Sequence, residues 1–360
     1  MTEILKRITT ISDLNSLSLV SKQLCKIEGN QRGAIRVGSR LCTATEALTS
    51  LCARFPNLRR VEIDYFGWIP GHGRQLDNKG FSVFSSHYSS LIDLTLSFCS
   101  CIDDSGLACL AYCKTLVSLR LNSAPKITSV GLFSVAVGCR SLSALHLIDC
   151  EKIDTVEWLE YLGRDGSLEE LVVKNCQGIN HHDFLKFGSG WMKLQKFEFE
   201  SKRERCDRLP GDVVYDSSYH AHSTDIYDFC CESLKDLLIQ SCPIRVLVLN
   251  TANFFDDEGM KALSSSPHLE TLELILCHAV TDAGMHFIAH TPCLSNLTLR
   301  LCHNVTDVGV AELGHAHKLE SLVVEYCGEV SLQAVQGVAK SVHYSDYSYF
   351  FMKKIGLGAY

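Results

Sequence analysis

The chain has 360 residues, 46% of them hydrophobic and 21% charged, which supports a sizeable folded core and excludes a disordered chain. A formal net charge of -7 argues against nucleic-acid binding, because a phosphate backbone selects a basic surface. The 18 cysteines follow an N-terminus with Lys6, Arg7, Lys22 and Lys26 and no apolar signal core, so reduced thiols in cytoplasm or nucleus are expected, and no apolar run approaches the ~20 residues of a membrane span.

In chain order, residues 4 to 28 place Leu14, Leu17, Val20, Leu24 and Ile27 at helical spacing, with Ser12 or Asp13 available as a cap, and predict two short helices. A strand is expected at Ile35 to Val37. Between Leu58 and Leu91 the segment 65–81, YFGWIPGHGRQLDNKGF, reads as a loop with exposed aromatics. Anchors then recur at Leu91, Leu116, Leu142, Leu168 and Leu194 in steps of 25 or 26 residues. Segment 201–229 breaks the periodicity and reads as a second excursion. Leu234 and Ile244 each begin a strand pattern only 10 residues apart, too few for an intervening helix, so intact repeats are read as missing near 237–243, as in a shortened isoform. The pattern resumes most clearly in Leu269-Leu272-Leu274-Cys277-Val280, Leu294-Leu297-Leu299-Cys302-Val305 and Leu319-Leu322-Val324-Cys327-Val330. Residues 343–360 read as an irregular tail.

Within a unit, the LxLx alternation has the two-residue period of a strand and the following segment the three-to-four spacing of a helix. Thr281 and Thr306 are placed to cap helices, with Asp282 and Asp307 in the first turn, where the helix dipole favours a carboxylate. Gly284 and Gly309 are expected to let the helix sit close to the sheet. Because strands stack ~4.8 Å apart and helices are wider, the array must curve with its strands inside. The expected fold is α/β, a leucine-rich-repeat solenoid: a curved horseshoe with parallel strands on the concave face and helices outside.

This pattern, with Cys99, Cys150, Cys176, Cys277, Cys302 and Cys327 at one repeat position, resembles the cysteine-containing leucine-rich repeats of F-box proteins over residues 35 to 340. The segment DLNSLSLVSKQLCKIEGNQR, most tellingly Ser18 to Lys22, is similar to the second half of an F-box. The order of that segment, the Ile35 strand and Arg54 to Ile63 resembles plant F-box proteins, including the auxin and jasmonate receptor class. The resemblance implies a partial F-box-like cap at 1–32, a solenoid at 33–342, and a non-catalytic substrate-recognition subunit of an SCF-type E3 ubiquitin ligase. Its partners would be a Skp-type adaptor and an unidentified substrate protein, with no nucleic acid and no membrane. The family's Leu-Pro pair before the first helix is missing here, which implies weakened adaptor binding. The alternative is a free-standing interaction scaffold or competitive regulator. A small-molecule receptor is a weaker third reading.

Two surfaces are therefore expected to carry function: Leu14, Leu17, Leu19, Val20 and Leu24 for the adaptor, and the concave positions Arg120, His146, Lys174, Glu198, Glu273, Thr298, Arg300, Glu325 and Tyr326 for substrate. No cofactor and no metal is expected. The 15 histidines and the pairs Cys99 with Cys101, Cys230 with Cys231, His181 with His182 and His315 with His317 have no CxxC partner set. His278 and His303, one repeat apart, are expected to stack without a metal. No phosphate loop, nucleophile elbow or dinucleotide fingerprint is present.

Overall fold

The computed structural model describes residues 11–38, 50–67, 75–176, 178–179, 187, 190, 193–200, 244–252 and 255–346. The excursion at 201–229 and the junction at 237–243 lie outside the described residues. The chain divides into two compact units, Met1–Glu198 and Phe199–Tyr360.

The first unit opens with helices α1 (Ile11–Val20) and α2 (Lys22–Gln31), the latter capped by Ser21, whose hydroxyl accepts the Leu24 N–H. Strands β1 (Ala34–Gly38), β2 (Arg60–Asp64), β3 (Asp93–Ser97), β4 (Ser118–Asn122), β5 (Ala144–Ile148) and β6 (Glu170–Lys174) pair in chain order, all parallel. Their register is exact repeat on repeat, as in Leu119 to Leu145 to Leu171. Between them lie α3 (Asn78–His87), α4 (Asp104–Ala108) continued by a 3-10 turn (Cys109–Tyr112), α5 (Ser129–Gly138) and α6 (Glu157–Asp165). Strand β7 (Lys196–Glu200) lies at the division between the units.

The second unit repeats the plan. Strands β8 (Val246–Asn250), β9 (Thr271–Ile275), β10 (Asn296–Arg300), β11 (Ser321–Glu325) and β12 (Ser341–Ser345) are parallel neighbours, alternating with α7 (Asp257–Ser264), α8 (Asp282–Ile288), α9 (Asp307–Glu312) and α10 (Leu332–Val335). Each unit is thus α/β leucine-rich-repeat solenoid. Strand β12 corrects the start of the expected irregular tail at 343–360, since residues 343–345 belong to a strand: the segment SVHYS lacks the leucines of the repeat but pairs residue for residue with Ser321–Glu325; residues 347–360 lie outside the described residues.

In strands β2 to β11 the second and fourth residues are buried, as in Leu272, Leu274, Leu297, Leu299, Leu322 and Val324 at 1% exposure or less, each contributing ~1.5–3 kcal/mol of burial. In β9 the alternate residues Thr271, Glu273 and Ile275 stay half-exposed, whereas the middle residues of β5, β6 and β8, His146, Val172 and Val248, are buried. Parallel sheets are ordinarily covered on both faces, whereas here most of the alternate strand residues remain at least partly exposed.

Three ladders hold repeat to repeat. The Cys302 thiol donates to the carbonyls of Leu274 and Arg300 at 3.4 and 3.5 Å, and Cys99, Cys150, Cys176, Cys277 and Cys327 make equivalent contacts. Each thiol joins its own strand end to the preceding one. Immediately before that cysteine the backbone turns left-handed, at Phe98, Asp149, Asn175, Leu276, Leu301 and Tyr326, and Ser123 and Thr251 do the same before an alanine. Most of these residues donate their N–H to the last carbonyl of the next strand, as Leu301 does to Glu325 at 2.9 Å, so the strain of a non-glycine residue there is offset by a hydrogen bond.

The third ladder corrects the role given to two glycines. Thr281 caps α8 as expected, but its own N–H and hydroxyl donate to the two carboxylate oxygens of Asp257 in the preceding repeat at 2.8 and 2.6 Å. Asp282 holds Thr306 likewise at 2.7 and 2.7 Å, Asp307 holds Ser331, and Asp104 holds Thr128 in the first unit. A Cβ on Gly284 would stand 2.5 Å from Asp257 Oδ1, and one on Gly309 2.3 Å from Asp282 Oδ1. These glycines make room for the neighbouring repeat's carboxylate rather than for the sheet.

The loop expected at 65–81 also changes. Tyr65 is buried, its hydroxyl accepting the Leu76 N–H at 2.9 Å, because it sits one residue beyond β2 beneath the turn. Asp77 caps a helix that begins at Asn78, so residues 78–81 are its first turn. Among the described residues of this segment Phe66 is the exposed aromatic, at 71%; residues 68–74 lie outside the described residues.

Candidate functional site

The first candidate surface is the helical pair. Glu28 is 1% exposed, and its carboxylate meets Arg32 Nε at 2.5 Å and lies 3.7 Å from the Arg54 guanidinium. Both guanidinium groups lie over the Phe55 ring, 5.2 and 4.8 Å from its centre, and Arg32 also donates to Asn15 Oδ1 at 2.9 Å. A buried carboxylate between two arginines fastens α2 to α1 on one side and to the first repeat on the other; removing one partner of such a cluster leaves an uncompensated charge. Of the expected adaptor residues, Leu14, Leu17 and Leu24 are half-buried, whereas Leu19 and Val20 are 87% and 70% exposed. The apolar face is thus divided between inward-packed and outward-facing residues.

The second surface is the open face of the first unit. Arg36 bridges Glu62 and Asp64 at 3.2 and 2.7 Å. Arg120 is exposed and lies in register with His146, itself in register with Val172. His146 is only 9% exposed; its Nε2 lies 3.0 Å from Glu170 Oε1 yet is not aligned for a hydrogen bond, so their attraction is electrostatic. Burial pushes the His146 imidazole below its ordinary range, helped by the cations Arg120 and Lys196 and opposed by Glu170. Burial pushes the Glu170 carboxyl up, but the Lys196 ammonium at 2.7 Å and His146 together hold it below the usual carboxylate range. Lys174 pairs with Glu198, which Lys196 approaches at 3.9 Å. The structure therefore brings His146, Lys174 and Glu198 into one charged patch with Glu170 and Lys196. Sequence reasoning overlooked the last two, although they occupy the first strand position by the same alternation.

On the second unit's open face, Arg300 Nε meets Glu325 Oε2 at 2.5 Å, and His343 approaches the other oxygen at 3.3 Å. Glu273 lies in register between Val248 and Thr298, and no ion pair among the described residues involves it. Tyr326 follows β11 in the left-handed conformation (φ 57°), donating its N–H to Ser345 at 2.7 Å. Leu276 and Leu301 occupy the same position in the two preceding repeats, so an apolar row runs beside the charged lane.

Burial raises two of the ladder thiols, Cys99 to about 12 and Cys277 to about 11, which keeps those two protonated and unreactive. His278 and His303 stack at 5.4 Å with 12° between planes. Cys230, Cys231, His181 and His182 lie outside the described residues, and among the described residues no group of three or more His, Cys, Asp or Glu is arranged to hold a metal ion. No helix among them is long and apolar enough to cross a membrane.

No family model matches the chain. It is similar to "F-box protein MAX2" of Arabidopsis thaliana, 22% identical over 260 residues that span 63% of this chain and 36% of that protein; the chain thus corresponds to about a third of that relative's length. In three dimensions it is similar to the "Crystal structure of Rad7 and Elc1 complex in yeast", with a TM-score of 0.52 and 14% identity, covering 94% of this chain and 89% of that one. At that identity the likeness is one of fold.

Proposed function

We propose that the chain is a substrate-recognition subunit of an SCF-type E3 ubiquitin ligase, acting in cytoplasm or nucleus. The observation that carries this reading is the helical pair itself: the ion-pair cluster of Glu28, Arg32 and Arg54 ties it to the first repeat, while Leu19 and Val20 remain in solvent. Large exposed apolar side chains on a fixed helical pair suit a partner surface. Similarity to an F-box protein supports a Skp-type adaptor as that partner. The substrate would lie on the open strand face, at Arg120, Lys174 and Glu198 with His146 packed beneath them in one unit, and at Glu273, Thr298, Arg300, Glu325 and, one residue beyond β11, Tyr326 in the other. The chain's contribution is then proximity. It holds the adaptor at one surface and the substrate at another, while ubiquitin transfer is done by other subunits, so no side chain here need attack or shuttle a proton.

The deciding measurement is binding of a purified Skp-type adaptor by calorimetry. Leu19→Asp with Val20→Asp should abolish it, since both side chains are exposed and the fold should be untouched. Charge reversal of Glu273, Arg300 and Glu325 should leave adaptor binding intact while weakening substrate capture. If the unaltered chain does not bind the adaptor, the ligase reading fails and a free-standing interaction scaffold takes its place.

A further inference from the structure

Helix α5, SVGLFSVAVG, contains no charged residue. Leu132, Val135 and Ala136 are buried beneath it, as the repeat requires. Val130, Phe133 and Val137, spaced i, i+3, i+7, form a second apolar stripe on its outer side, 68%, 42% and 41% exposed. The stripe widens on both flanks. Tyr112 of the preceding repeat, whose 3-10 turn packs on α5, is 63% exposed, and the Tyr161 ring of the following repeat meets Phe133 at 5.8 Å. A helix with an apolar stripe on its outer side as well as on its inner one, interrupted here only by the half-exposed Ser134, is ordinarily covered on both, and soluble monomers rarely leave such a stripe in water. By contrast the outer side of α6 carries Glu157, Glu160 and Arg164.

The charges around the stripe are ordered by helix polarity. The helix starts lie together, as the Asp104–Thr128 and Ser129–Asp154 contacts show. That end carries Asp103, Asp104, Glu151, Asp154 and Glu157, with Lys126 and Lys152 as the opposing charges. The helix ends also lie together, with Lys114 donating to the Gly138 carbonyl at 3.3 Å and Ser167 to the Arg140 carbonyl at 3.3 Å. That end carries Lys114, Arg140 and Arg164, the last paired with Asp165.

We infer that this stripe is a self-association surface, on which a second copy of the chain docks about a two-fold axis with α5 antiparallel to α5. The antiparallel arrangement lays the acidic end of one copy on the basic end of the other and buries only uncharged residues at its centre. A two-fold interface must be self-complementary, and a stripe neutral in the middle with opposite charge at its two ends meets that condition. A parallel arrangement would set like charges together.

Sedimentation equilibrium of the full chain across the micromolar range tests this. The unaltered chain should dimerise reversibly, and Phe133→Glu should raise the dissociation constant about tenfold or more with an unchanged far-ultraviolet spectrum. Arg140→Glu should weaken the dimer, and adding Glu157→Arg in the same chain should restore it, because each symmetric contact then exchanges its charges. A chain that stays monomeric up to about 100 µM, or a dimer indifferent to Phe133→Glu, overturns the inference; failure of the charge exchange to restore binding overturns the antiparallel arrangement.

Discussion

The carboxylate ladder makes a prediction whose sign is unusual. Gly284 is helical, and replacing a helical glycine by alanine ordinarily stabilises a protein by ~0.5–1 kcal/mol through helix propensity. Here the new Cβ would stand 2.5 Å from Asp257 Oδ1, with Met260 Cγ and Val280 Cγ1 next at 3.1 Å. The carboxylate cannot withdraw freely, because it accepts both the N–H and the hydroxyl of Thr281 at 2.8 and 2.6 Å. Gly284→Ala should therefore destabilise by ~1–3 kcal/mol, the usual range for overpacking. Asp257→Ala alone should cost ~2–3 kcal/mol, since hydrogen bonds to a charged acceptor are worth ~1.5–3 kcal/mol each and these are only partly buried. In the double variant the closest collision is gone and only the 3.1 Å contacts with Met260 and Val280 remain, so adding Gly284→Ala to Asp257→Ala should cost clearly less than it does in the unaltered chain. Urea unfolding of all four proteins, followed by circular dichroism, gives the coupling. A Gly284→Ala that stabilises the unaltered chain, or costs the same in both backgrounds, would refute the ladder as the reason for this glycine.

The His146 imidazole is held below its ordinary 6.5 by burial, so between the two values the unfolded chain binds more protons than the folded one. Stability tied to His146 is then complete above pH ~6.5 and lost as pH falls toward the lowered folded value; thermal unfolding between pH 7.5 and 5 should show this slope, and His146→Gln should flatten it. Glu28→Gln should weaken the attachment of the helical pair, raising hydrogen exchange across Lys22–Gln31 while the β9–β11 strands stay protected; unchanged exchange would show that the clamp holds nothing. Ser123 sits at φ 50°, where glycine is unstrained, so Ser123→Gly should raise the melting temperature by an amount corresponding to up to ~1 kcal/mol; a fall would mean that the strain is not local.

Much of the fold was legible in the order of residues. The LxL alternation marked the strands because a strand with one buried face must bury every second side chain. The threonines before the helices marked their starts because an N-cap hydroxyl accepts an otherwise unpaired helix N–H, although the same hydroxyl's bond to the preceding repeat's aspartate was not legible. The recurrent cysteine marked the strand end for a similar reason: only a small, weakly donating side chain serves two carbonyls in so tight a turn. By contrast β12 was hidden, since SVHYS pairs through its backbone and buries no leucine. The role of Gly284 was hidden too, because its neighbour Asp257 lies 27 positions earlier in sequence.

The candidate surfaces divide along the same line. The sequence by itself determined the repeat, the strand positions that face outward and the apolar spacing of the N-terminal helices, because these follow from local periodicity and its need for burial. Only the tertiary structure decided that Leu19 and Val20 face solvent while Leu14 and Leu17 turn inward, that His146 is buried against Glu170, and that α5 bears a second apolar face. Exposure and pairing depend on which side chains the neighbouring repeat brings alongside, a relation between residues about 25 apart that periodicity within one repeat does not contain.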